Sequence, residues 1–169
     1  MTVNAECDQK GTENSPQLGK PATEELIKAW DQSIFPDGQG LPVGKGSVEE
    51  GEDLYKIQCA ICHGPGAVGG TAEELAGGEQ GLTGEYPDKI VGVYWPYATT
   101  LYDFIKRSMP LNAPGSLSDD QTYALTAYLL HLNNIVDEDV ILSNETLPEV
   151  EMPNRDGFIW IYSDQKKYR

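Results

Sequence analysis

Cysteine is scarce in this sequence, with three residues in 169, at positions 7, 59 and 62. So few exclude a disulfide scaffold. Histidine is scarcer still: only His63 and His131. One cysteine pair with one distant histidine makes a poor structural zinc site, which needs four ligands. Basic residues number 12 against 27 acidic ones. Nucleic-acid binding is therefore not expected, because phosphate contacts need a basic face. No apolar run is long enough to cross a bilayer as a helix, and no signal-peptide pattern is visible.

What is abundant is glycine (18) and proline (11), so much of the chain should be loop. Acidic charge is spread along it: residues 47–135 hold 12 acidic and 4 basic side chains. Two readings stay open. One is a solvated surface; the other is a field that steers the chain toward a basic partner.

The chemistry is concentrated in "CAICHG", Cys59 to Gly64. A thioredoxin-like dithiol would follow a strand in a βαβ setting. Here the preceding "SVEEGEDLYKIQ" predicts a helix. Ser47 and Glu50 form a capping box, and Leu54, Tyr55, Ile57 and Ile61 recur near helical spacing. The remaining reading is covalent attachment of one haem c. Two thiols separated by two residues let one helical turn reach the two haem vinyl groups, and His63 then falls under the iron. Haem is fitted outside the energy-transducing membrane, so a periplasmic location is expected. The chain would then be a form from which a leader is removed or absent.

A low-spin electron carrier needs a sixth ligand, from among Met1, Met109, Met152 and His131. Met109 stands out. Thr99 or Thr100 is expected to cap a short helix with Leu101, Phe104 and Ile105 inward. Pro110 ends that helix and pushes Met109 toward extended backbone, while Pro110 and Pro114 stiffen the following loop. The bland alternative is a methionine filling a core gap. Met152 also precedes a proline but follows the last clear helix. His131 lies on the flank of a helix begun by the Ser118/Gln121 capping box, whose apolar stripe is Ala124, Leu125, Tyr128, Leu129 and Leu132. A structural role is expected for it.

A capped helix ending in CxxCH, a Met–Pro loop and a closing amphipathic helix together resemble a class I cytochrome c, over about residues 47–135. The resemblance implies an all-α fold whose first and last helices cross, with Gly51 letting Tyr128 or Leu129 approach the first helix. A narrower likeness lies in "PDGQGLPVGKGSVEEGEDLY", in residues 92–135 and in "LPEVEMPNRDGF". These stretches are similar to the haem c subunit of periplasmic sulfane dehydrogenases and to cytochromes that accompany molybdenum sulfite dehydrogenases. That subunit resembles a two-haem chain, whereas this sequence has one CxxCH. The likeness implies an electron-transfer protein and not an enzyme in its own right. Its donor would be a molybdenum-containing sulfite or sulfane dehydrogenase, and its acceptor a downstream cytochrome or oxidase of the respiratory chain. The alternatives are a general periplasmic shuttle, or a haem peroxidase or ligand sensor with an open sixth site.

Around the haem domain (47–135), residues 1–20 read as a flexible leader in which Cys7 is an incidental thiol. Residues 21–46 read as an extension with a short helix bearing Leu26, Ile27, Trp30 and Ile34. Residues 136–169 read as an extended segment wrapping back over the domain, with "FIWIY" either docked on the core or presented to a partner. Within 64–97, glycine-dense backbone should run close over the ring, and one carbonyl should accept the Nδ1–H of His63. Trp95, Tyr97 and Arg107 are candidates to bond or cover the propionates. Plain core packing is the alternative for the two aromatics. A charge role is also open to Lys106 or Arg107.

Overall fold

The computed structural model describes residues 18–78, 81–87 and 89–159. Cys7, Met1, most of the 1–20 segment and the end of "FIWIY" lie outside these. Two compact units divide between Gln32 and Ser33, inside the segment read as 21–46. In the first, helix α1 (Glu24–Trp30) begins at Thr23, whose side chain accepts the Leu26 N–H. It buries none of its residues: Leu26, Ile27 and Trp30 are all exposed.

In the second unit, strand β1 (Lys45–Ser47) leads directly into helix α2 (Val48–Gln58). The Ser47/Glu50 capping box is formed in both directions, so two of the orphan N–H donors at the helix start are satisfied. A short helix α3 (Ala60–His63) continues the path, with Cys59 as the joint. Helix α4 (Val91–Tyr94), helix α5 (Ala98–Ser108) and helix α6 (Asp119–Leu132) follow, the last opened by the Ser118/Gln121 capping box. Strand β2 (Ile141–Ser143) returns to pair antiparallel with β1, with Gly46 opposite Leu142.

Helix α6 is the centre. Every residue from Thr122 to Leu130 is buried, so the expected stripe is in fact a helix enclosed on all sides. α2, α5, β1 and β2 all lie against it. Thr122 and Thr126 survive this burial because their hydroxyls donate to the Ser118 and Thr122 carbonyls one turn back. The contact with α2 is between backbones. A Cβ on Gly51 would lie 1.9 Å from the Ala124 carbonyl oxygen and 2.8 Å from the Tyr128 Cβ. Only glycine permits that approach.

Two expectations need correction. Neither Thr99 nor Thr100 caps α5: the N-cap is Tyr97, with no side-chain bond. Thr99 is buried and its hydroxyl reaches the Pro36 carbonyl at 3.5 Å. Of the inner face, Leu101 and Ile105 are buried together with Tyr102, but Phe104 is half-exposed and sits edge-on to Trp95. Ile57 and Ile61, which recur near helical spacing, fall in α2 and α3 and are 79% and 84% exposed.

After α6 the chain runs back over the core. Leu142, Leu147 and Met152 are buried in the main cluster, each contributing about 1.5–3 kcal/mol by its removal from water. Asn154 then donates to the Tyr94 carbonyl at 2.7 Å, and Phe158 meets Tyr94 edge-on.

Candidate haem site

The end of α2 sets the position of the cysteines. Tyr55, the last buried residue of that helix, donates its hydroxyl to the Gly64 carbonyl at 2.9 Å, and its ring lies 5.3 Å from that of Tyr128. The helix is thereby tied to α6 on one side and to the turn after His63 on the other. Cys59 is partly buried and Cys62 exposed, and they are not joined to one another. Burial pushes the Cys59 thiol up to about 11, with Cys62 adding to the effect. Both sulfurs thus lie on one short turn, one at the surface and one facing inward.

The chain after His63 folds back over α3. The Ala72 N–H donates to the Cys62 carbonyl at 2.8 Å. A Cβ on Gly70 would sit 2.0 Å from that same oxygen. This fold-back delivers the Glu73 carbonyl to His63 Nδ1 at 2.8 Å. A carbonyl only accepts, so Nδ1 carries the hydrogen and Nε2 keeps its lone pair. Among the described residues no protein group is bonded to Nε2. This is the tautomer a metal-ligating histidine requires, and the accepting carbonyl lies in the loop where one was expected.

Met109 follows α5 with φ −118° and ψ 150°, extended as the following proline demands. Its N–H donates to Ile105 and its side chain is half-buried against the core. Met152, by contrast, is 3% exposed within the core cluster. His131 Nδ1 donates to the Val136 carbonyl at 3.2 Å, at the turn that ends α6. Trp95 is half-buried between Tyr94 and Phe104, and Tyr97 is half-buried at the start of α5. Arg107 Nη2 lies 2.6 Å from Asp103 on the same helix. Among the described residues no group of three His, Cys, Asp or Glu side chains is placed to hold a bare metal ion. Two thiols and one imidazole whose Nε2 accepts no bond among the described residues, all on the turn Cys59–His63, fit covalent haem attachment and not a zinc ion.

Two residues outside the sequence reading hold the site's frame. Asn133, at the C-terminal end of α6, accepts the Gly92 N–H at 3.1 Å and donates to the Leu75 and Leu129 carbonyls. It fastens the long loop and α4 to α6. Glu73 acts through its main chain, which no side-chain pattern could announce.

The fold matches a crystal structure of the sulfane dehydrogenase SoxCD from Paracoccus pantotrophus. The TM-score is 0.81 at 43% identity, over 91% of this chain and 76% of the matched one. This chain is a class I c-type cytochrome. Within that family it is related to the haem subunit of sulfane dehydrogenase. Residues 46–129 of the cytochrome also match the family described as cytochrome C oxidase, cbb3-type, subunit III. A thiosulfate dehydrogenase of Stutzerimonas stutzeri (strain A1501) is 31% identical over an alignment of 112 residues that covers 59% of this chain. The cytochrome spans 35% of the length of that relative. Haem c is the cofactor the cytochrome's family implies, and electron transfer is its family's work. Among the described residues no helix is long and apolar enough to cross a membrane.

Proposed function

We propose that this cytochrome binds a single haem c, which Cys59 and Cys62 would hold through thioethers and whose iron His63 and Met109 would ligate. On this reading it works in the periplasm as an electron-transfer protein. It receives single electrons from a molybdenum-containing sulfite or sulfane dehydrogenase and passes them toward the respiratory chain through a downstream cytochrome or oxidase. The observation that carries the proposal is the His63 imidazole, with Nδ1–H donated to the Glu73 carbonyl and Nε2 left free beside two unpaired cysteines. The sulfur link rests on the kinship with sulfane and thiosulfate dehydrogenases.

When bound, haem supplies a one-electron iron couple. The chain's residues do the rest. Cys59 and Cys62 anchor the group covalently. The Glu73 carbonyl fixes the ring plane of His63 and makes its Nε2 a stronger donor. Met109 offers a soft, neutral sulfur, which favours the reduced iron and raises the potential relative to a second histidine. Trp95, Tyr97 and Arg107 are the side chains proposed to cover or bond the propionates. The acidic surface, with net charge −15, steers the cytochrome toward a basic face of its donor.

Two measurements test this. Mass spectrometry of the acid-denatured chain should show one haem still attached, and Cys59→Ser with Cys62→Ser should abolish it. The ferric protein, mixed anaerobically with the host's periplasmic extract and sulfite, should be reduced, more slowly as salt is raised; a control without extract corrects for direct reduction. Ready reduction by other host donors but not with sulfite would make the protein a general shuttle. A high-spin ferric spectrum with fast peroxide binding would instead support the peroxidase or sensor reading.

A further inference from the structure

Lys106 is one of four basic residues within 47–135, and its position is unusual. It lies on the last turn of α5, three residues before Met109. Its ammonium does not point into solvent or pair along its own helix, as Arg107 does with Asp103. Instead Nζ donates to the Leu117 carbonyl at 2.6 Å and meets Asp119 Oδ1 at 2.9 Å. Leu117 is buried, at 4% exposure, and precedes the Ser118 cap of α6. Lys106 thus spans the base of the loop 109–117 from one side to the other. Both side chains of the ion pair are only about a third exposed, at 31% and 39%. Inside the loop, ties are local: Ala113 N–H to the Pro110 carbonyl and Ser116 N–H to the Ala113 carbonyl. Leu111 at its tip is 80% exposed. Among the described residues no side-chain hydrogen bond crosses the loop's interior.

We infer that Lys106 is a positioning residue for Met109: by bonding the Leu117 carbonyl and Asp119 it closes the base of the loop and holds the methionine at the iron. The inference rests on the proposed ligation by Met109. Removing a charge-assisted bond that closes a loop should favour the open loop by about tenfold. An external ligand that binds iron only when Met109 has left reads that population directly.

The test uses the ferric holoprotein. Its charge-transfer band from methionine sulfur to ferric iron is recorded first, then the rate of cyanide binding and hydrogen exchange at the Ala113 and Ser116 amides. Lys106→Met should bind cyanide about tenfold faster and should speed exchange at those two amides while leaving α2 and α6 protected. Lys106→Arg, which keeps a cationic donor, should return both readings toward wild type. Lys56→Gln, which removes a surface lysine paired only along α2 with Glu52 and Asp53, should change neither. An unchanged cyanide rate in Lys106→Met would overturn the inference. So would faster exchange spread evenly over α2, α6 and the loop, which marks a loss of global stability only. A wild-type protein without the methionine band would overturn the ligation by Met109 itself, and that outcome is visible before any variant is made.

Discussion

Replacing Gly51 by alanine tests the helix crossing on which the haem site hangs. In an isolated helix the change would stabilise by about 1 kcal/mol. In this protein the added Cβ would stand 1.9 Å from the Ala124 carbonyl oxygen and 2.5 Å from its carbon, whereas ordinary contact begins at 3.4 Å. The opposing atoms belong to the backbone of a buried helix, so no rotamer change can make room. α2 and α6 must part by about 1.5 Å, which also strains the Tyr55–Tyr128 ring contact at 5.3 Å. Overpacking of this kind costs about 3 kcal/mol or more. Set against the gain in helix propensity, the net loss is about 2–3 kcal/mol. For a chain of this size the melting temperature should fall by about 5–10 °C. Thermal unfolding of the holoprotein followed by far-ultraviolet circular dichroism measures it. Gly81→Ala is the control, since a Cβ there meets nothing within 4 Å. A Gly51→Ala protein as stable as wild type would refute the close crossing, and with it the account of how Cys59 and His63 are placed.

Asn133→Ala should destabilise by about 2–3 kcal/mol, because the Gly92 N–H and the Leu129 carbonyl lose the Asn133 side chain and the Leu75 carbonyl keeps only the Val91 N–H. The loss should appear as a lower urea midpoint with faster exchange at Gly92. Alkaline pH should also unfold the protein. Burial pushes Tyr55 up to about 12 and raises Tyr102 and Tyr123 well above the ordinary phenol value, with the Asp119 and Asp120 carboxylates adding to both. Folded pKa values above unfolded ones mean that the native state holds its protons more tightly. This stability is complete below about pH 10 and is lost as pH rises toward about 12 and beyond. Urea midpoints that stay constant from pH 9 to about pH 11.5 would contradict it.

The parts of the fold that were legible in the sequence are those written locally. The two capping boxes need only residues three apart, and both are formed. The extended backbone at Met109 follows from its proline neighbour. Gly51 was readable because the resemblance supplied a helix for it to touch. Where apolarity stood in for burial, the reading went astray. Phe104 fits the helical period and was expected to face inward, yet it is half-exposed. Thr99 looked like a cap because threonine often is one, but its hydroxyl reaches instead to the Pro36 carbonyl, far away in sequence. The all-helical expectation also missed the β1–β2 pair, whose partners lie at opposite ends of the domain. The same distance hid the Asn133 and Lys106 bonds. Hydrogen bonds between remote segments leave no period and no motif behind them.

The β1–β2 pairing has a consequence for the order in which this protein folds. It joins the residues just before α2 to residues beyond α6, and α6 is the helix on which α2 rests. Neither contact exists until the far end of the domain has been made. High contact order slows folding, and here it delays the burial of α2 in particular. The residues of α2 that lead to Cys59 therefore have no α6 to pack against until the far end of the domain is made. The cysteines proposed for covalent attachment thus sit at the end of the one helix whose packing waits on both α6 and the β1–β2 pair.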